Sequence, residues 1–253
     1  MLYDTFQNRT IIHGKLVAVD PLHIGSSGKE TLNPIDVDNS VLKDAKGDPL
    51  IPGSSIKGVV RSRFEAVMRS IGEDVCDVFA QEDENICVTD QSLRNIEKDK
   101  KRTRAEKAQD MYEKSCVVCQ LFGGKAVAGK IRFKDCTYLG EKPCEIERRD
   151  GVGIDRETGA AKPHAKYDFE IIPKGTEFDF SMIAENLDEQ QQRYLELILR
   201  MLQGNLLGED AEDYLAVGGK TTRGLGRIRL EEVTTETITA QELKQKMQER
   251  FGI

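Results

Sequence analysis

The 253 residues carry 37 basic against 44 acidic side chains, a net charge of -7, and 38% of them are hydrophobic. That is enough apolar material for one large domain with its own core, while a mean hydropathy of -0.49 and no apolar run near the roughly 18–20 residues that span a bilayer exclude a transmembrane helix. The acidic balance argues against a free-standing, non-specific nucleic-acid coat, the polar N-terminus lacks a signal-peptide core, and a cytoplasmic location is expected.

Residues 10–19 (TIIHGKLVAV) alternate β-branched and polar residues before Asp20-Pro21 and predict a first strand. Residues 25–52 are rich in Gly, Asn, Asp and Pro and read as a long functional loop. Ser54 is placed to cap a helix in which Ile56, Val60, Phe64, Val67, Met68 and Ile71 recur every three to four residues up to Gly72. Residues 73–120 fit no simple element; the charged tract 94–110 predicts a solvated helix or a disordered loop inside an insertion. Residues 130–139 predict a second strand, and 169–183 two short runs around the turn Pro173-Lys174-Gly175, giving a hairpin. An apolar helical face at 194–202 ends at Gly204, residues 225–233 alternate as a last strand, and a weak helix follows Thr239. The order is βαββαβ, an α+β ferredoxin-like arrangement shared with RNA-recognition motifs and with many unrelated functions. The aromatic RNA-stacking signature of those motifs is missing.

Four features carry chemistry. The loop Gly218-Gly219-Lys220-Thr221-Thr222-Arg223-Gly224-Leu225-Gly226-Arg227 joins glycines to basic side chains and lets a phosphate approach backbone N–H groups. The alternative is a plain turn into an edge strand. Ser54, Ser55 and Lys57 stand at the predicted N-terminus of the first helix, a natural anion site that Arg61 is expected to extend by neutralising phosphate, with Arg63 beyond. Two anion sites in one domain favour an extended polyanion. Asp36 and Asp38 lie two residues apart in the long loop, where paired acids can hold a divalent cation or share acid and base roles, or merely cap turns. Cys116 and Cys119 have knuckle spacing, and Cys76 and Cys87 lie in the same insertion to complete four ligands, with Zn2+ the expected ion and four reduced packing cysteines the alternative. Cys136 and Cys144 fit that alternative better.

His23-Ile24-Gly25, Val37-Asp38-Asn39-Ser40-Val41, Ile51-Pro52-Gly53-Ser54-Ser55-Ile56-Lys57-Gly58 and the Gly-rich loop together resemble the RAMP superfamily, most closely the backbone subunits of type III CRISPR effector complexes. The resemblance implies a single domain over 1–253. Its ferredoxin-like palm would span about 9–72, 129–145 and 168–235, with a zinc-stapled insertion at about 73–128, a hairpin thumb at about 146–167 and a helical tail at about 239–253. It further implies a subunit that coats crRNA, polymerises head to tail with copies of itself and joins other subunits, including the large signature subunit. The thumb would wedge Val152 and Ile154 between nucleotides beside Arg156, His23 would lie near crRNA, and Asp38 would cut guide-paired target RNA with Mg2+ or a similar cation. Ser40 stands where the family often has proline. A purely structural crRNA-binding subunit and a crRNA-processing ribonuclease remain the alternatives; the Gly-rich loop holds no histidine for the latter.

Overall fold

A computed structural model describes residues 3–25, 39–77, 80 and 85–253. The strand expected over 10–19 is β1, Asn8–Ala18, whose inward side chains Ile12, Leu16 and Ala18 are fully buried. Its alternation is interrupted by a register shift between His13 and Lys15. Gly14 permits that shift, because a Cβ there would stand 2.8 Å from the Glu231 carbonyl oxygen.

β1 lies between β7, Glu177–Glu185, and β9, Arg227–Thr239, in a sheet ordered β2-β4-β7-β1-β9-β8. Here β2 is Leu50–Ile51, β4 Cys136–Tyr138 and β8 Leu215–Ala216, and every pairing is antiparallel. Residues 130–139 form two strands where one was expected: β3, Ile131–Phe133, and β4 each pair with β7. The interruption at Lys134-Asp135 serves helix α1, Gly53–Ser70, since Asp135 Oδ1 accepts the Gly53 N–H at 2.8 Å. That contact replaces the Ser54 cap expected from the sequence; Pro52 is the N-cap residue and no side chain of the helix caps it. A Cβ on Gly53 would meet the Lys134 backbone at 2.8 Å, so glycine lets the helix start against this bend.

The turn at Pro173-Lys174-Gly175 does not close a hairpin. It carries the chain from β6, Ala161–Ile171, into β7, while β6 pairs with β5, Glu147–Ile154, in a separate two-stranded sheet. The charged tract resolves into α2, Asp90–Lys98, and α3, Arg104–Glu113. Thr89 caps the first, and Thr103 with Glu106 forms a capping box on the second, so local capping compensates for the missing apolar stripe. Helix α4, Val117–Phe122, then returns the chain to the core.

Helices α1 and α5, Glu189–Gln203, lay Ile56, Val60, Phe64 and Met68, and Leu195, Ile198, Met201 and Leu202, into one cluster with Phe178, Phe180, Met182, Ile228 and Leu230 of the sheet. Phe64 stands 5.7 Å from both Phe122 and Tyr194, joining the two helices to α4. Helix α6, Ala240–Phe251, extends β9 through a Thr239–Glu242 capping box and buries no residue. Among the described residues no helix is long and apolar enough to cross a membrane.

Candidate metal centre and candidate nucleic-acid face

Cys116 is the N-cap of α4 and Cys119 lies one turn on, so the short helix aims both sulfurs the same way. Cys76, after α1, and Cys87, before α2, converge on them, and the four Sγ atoms lie within 4.8 Å of one another. Cys76 is 3.4 Å from Cys119 and 3.6 Å from Cys116. A Zn–S bond of about 2.3 Å sets tetrahedral sulfurs about 3.8 Å apart, whereas a disulfide needs about 2.05 Å. The four thiols are free, and their spacing and soft-donor chemistry fit a tetrahedral metal ion. Burial pushes the Cys76 thiol up to about 11. The hydrogen bond between Cys116 and Cys119 lowers the pKa of the first and raises that of the second. Cys136 is buried in the main core and lies outside this group.

The first turn of α1 presents Ser54 exposed and Ser55 and Lys57 half-buried, with no acidic residue among them. Burial, then the charge of Arg61, lowers the Lys57 pKa. Arg61, expected from the sequence to meet RNA, is engaged within the protein: it donates from Nη1 to the Gly123 carbonyl at 2.7 Å, from Nε to Glu65 Oε1 at 2.8 Å and from Nη2 to Cys119 Sγ at 3.7 Å. Arg63 pairs with Asp213 at 3.1 Å.

The Gly-rich loop makes one 3-10 turn, Thr221–Arg223, between left-handed Lys220 (φ 61°) and Gly224 (φ 77°). Gly218, at φ 87°, faces the His23 carbonyl too closely for any side chain, and that carbonyl accepts the Gly219 N–H at 2.8 Å. Lys220 Nζ lies 4.5 Å from the Phe169 ring centre and 5.9 Å from that of Tyr167, while Arg223 donates to the Tyr167 hydroxyl at 2.8 Å. His23 is buried, with Nδ1 2.8 Å from the Glu170 carbonyl oxygen and its ring edge-on to Phe169. Burial lowers its pKa, and Lys220 adds to the effect. The loop is therefore docked on the base of β6, with Lys220 and Arg223 both against Tyr167.

Tyr167, Phe169 and Glu170 were not singled out in the sequence, where the alternation of residues 167–171 reads as ordinary strand. Glu170 also fixes the end of the long loop: Oε2 accepts the Val41 N–H at 3.0 Å, Oε1 pairs with Lys43 at 3.1 Å, and the Glu170 N–H donates to the Asn39 carbonyl at 3.0 Å. Asp36 and Asp38, just upstream, lie outside the described residues.

On the β5–β6 hairpin, Val152 and Ile154 are 47% and 57% exposed, so they do not pack inward, and Arg156 is exposed beside them. Arg148 instead pairs with Asp168, and Arg149 lies 3.6 Å from Glu147.

A model of the RAMP superfamily matches residues 15–229. The chain is 27% identical to the CRISPR system Cms endoribonuclease Csm3 of Methanocaldococcus jannaschii over 245 residues, covering 90% of this chain and 81% of that protein. It is 28% identical to the protein of that name in Methanothermobacter thermautotrophicus, covering 90% of this chain and 86% of the relative. For the Enterococcus italicus protein the identity is 26%, covering 90% and 92%.

Proposed function

Because the chain belongs to the RAMP superfamily, which its residues 15–229 match, we propose that it is a crRNA-binding backbone subunit of a type III CRISPR effector complex that cleaves guide-paired target RNA. The observation that carries this is the likeness to three endoribonucleases of CRISPR systems over 90% of the chain. The order β4-β7-β1-β9, with α1 and α5 in the same core, supports a ferredoxin-like palm. The exposed apolar pair Val152 and Ile154 supports a thumb at about 146–167 that wedges between nucleotides. The four-sulfur cluster supports a zinc staple in the insertion at about 73–128, and α6 is the tail.

Phosphates of crRNA would meet Ser54, Ser55 and Lys57 at the start of α1, and Gly218, Gly219, Lys220, Thr221, Arg223 and Gly224 in the loop, with Arg156 on the thumb and His23 supporting the loop from below. The aromatic contacts of Lys220 and Arg223 hold these cations at the loop's edge and favour binding by limiting the entropy lost when a phosphate arrives. Copies stacked head to tail along crRNA would form an open filament, a heterologous interface that does not close. The large signature subunit and other subunits would complete the complex in the cytoplasm.

For cleavage, RNA supplies its own nucleophile. The 2'-oxygen would attack the adjacent phosphorus in line and close a 2',3'-cyclic phosphate as the P–O5' bond breaks, Asp38 taking up the 2'-hydroxyl proton and water protonating the departing 5'-oxygen. Asp36 would help shape the loop. Two carboxylates suit Mg2+ or a similar hard cation, which would neutralise charge at the phosphorus. The test is to incubate the assembled complex with labelled RNA complementary to the guide. Cuts at regular intervals are expected. Binding without cuts would leave a purely structural subunit, and cutting of precursor repeat RNA alone would make the protein a processing ribonuclease.

A further inference from the structure

We infer that Arg61 is a positioning residue of the cysteine metal centre, tying the Cys119 thiolate to helix α1. This rests on the cluster holding a metal ion, as proposed above. Among the described residues, the guanidinium engages three partners at once: the Gly123 carbonyl, Glu65 and Cys119 Sγ, at 2.7, 2.8 and 3.7 Å. Its side chain is only 17% exposed and that of Glu65 16%, so a swing outward to a phosphate would break all three contacts and leave a half-buried carboxylate with only the longer Arg69 contact. Glu65 braces a second arm too. Arg69 lies 3.9 Å from Glu65 and donates to the Cys76 carbonyl at 3.2 Å. One face of α1 thus holds two of the four ligand residues, one at its sulfur and one at its backbone.

The electrostatics point the same way. Four thiolates around a dication leave a net charge of about -2, and a neighbouring guanidinium offsets part of it while its N–H stabilises a sulfur in the deprotonated form that a metal requires. The site is shaped for this approach, because Gly124 packs so tightly on Cys119 that a Cβ there would stand 2.9 Å from Sγ. Among the described residues, Lys57, one turn earlier on α1, makes no such contact with the cluster. The helix is therefore divided, with its first turn left for anions and its second given to the metal, and the insertion is coupled to the helix whose N-terminus faces RNA.

The experiment uses the full chain and zinc competition against a chromophoric chelator, with cobalt(II) replacing zinc as a spectroscopic probe. Arg61→Met keeps the aliphatic stem without charge or donors; it is expected to weaken zinc binding about 10- to 100-fold and to shift the thiolate-to-cobalt charge-transfer band. Arg61→Lys should fall between it and the native chain. The salt dependence of crRNA binding should stay unchanged in both. A loss of thermal stability with unchanged zinc affinity and an unshifted cobalt band would overturn the inference. So would unchanged zinc binding with a salt slope lowered by about 0.7, which would return Arg61 to the RNA. If Arg61→Met does not fold, Arg61→Lys and Glu65→Gln carry the test, each expected to weaken zinc binding, and native affinity in both refutes it. A native chain with neither zinc nor a tetrahedral cobalt spectrum removes the metal reading itself, a result recognisable before any variant is compared.

Discussion

Asp38 and Asp36 test the proposed cleavage, and Lys57 and Arg223 the proposed hold on crRNA. Asp38→Asn keeps the size and hydrogen-bonding capacity of the side chain but removes its basicity, so target cleavage in the assembled complex should fall at least about 100-fold while crRNA stays bound. Asp36→Ala should have a smaller effect. Equal cutting rates in native and Asp38→Asn complexes would place the reactive carboxylate elsewhere, and loss with Asp36→Ala alone would move it two residues upstream. Lys57 and Arg223 test the anion face. Each neutralised phosphate on a single strand contributes about 0.7 to the slope of log affinity against log salt. The double variant Lys57→Ala, Arg223→Ala should therefore bind crRNA more weakly with a slope lower by about 1.4. An unchanged slope, measured by filter binding between low and moderate salt, would remove both from the interface.

Among the elements, the insertion is where the proposed ion would matter most. Its helices α2 and α3 are held by caps and surface pairs, by Ile96 buried under α2 and by the Tyr112 hydroxyl, which accepts from Gln191 at 2.6 Å, and the sulfur cluster adds a further long-range tie. Cys116→Ser with Cys119→Ser should reduce bound zinc to near zero and open the insertion to limited proteolysis while the sheet core stays folded. Metal analysis and a digestion time course check this; retention of zinc would sink it. The pH dependence has a definite sign. In the metal-free cluster burial holds Cys76 up to about 11, so binding must expel protons, and zinc affinity should rise with pH and fall on acidification. Competition measured at pH 6 and 8 with equal affinity would contradict a thiolate site.

For the whole molecule, the core is built from the sheet, α1, α4 and α5, and α6 adds nothing to it. Removing residues 240–253 should shift stability by less than about 0.5 kcal/mol, as expected for a surface segment without buried contacts. A large drop in Tm of the isolated chain would show that the tail is part of the fold. Unchanged stability with impaired assembly would instead give it a role between subunits. With a net charge of -7, RNA affinity depends on the local placement of cations such as Lys57, Lys220 and Arg223, and stacking along crRNA would add contacts that one copy lacks.

The sequence by itself determined the elements whose causes are local. Period-two and helical apolar spacing marked β1, α1, α5 and the start of β9; Gly204 marked a helix end; the CxxC spacing marked two of the four clustered sulfurs; and the Gly-rich and IPGSS motifs together marked the superfamily. What only the tertiary structure decided depends on partners distant in the chain. Asp135, 82 residues away, supplies the start of α1 that Ser54 was expected to cap. Pairing of β6 with β5 removed the hairpin expected at 173–175, because a turn signal fixes a reversal but not which strand lies alongside. Arg61 and Lys57 look alike in a basic stretch of sequence. Only packing against Gly123 and Cys119 separates them, since the direction of a long side chain is set by the donors and acceptors that folding brings within its reach.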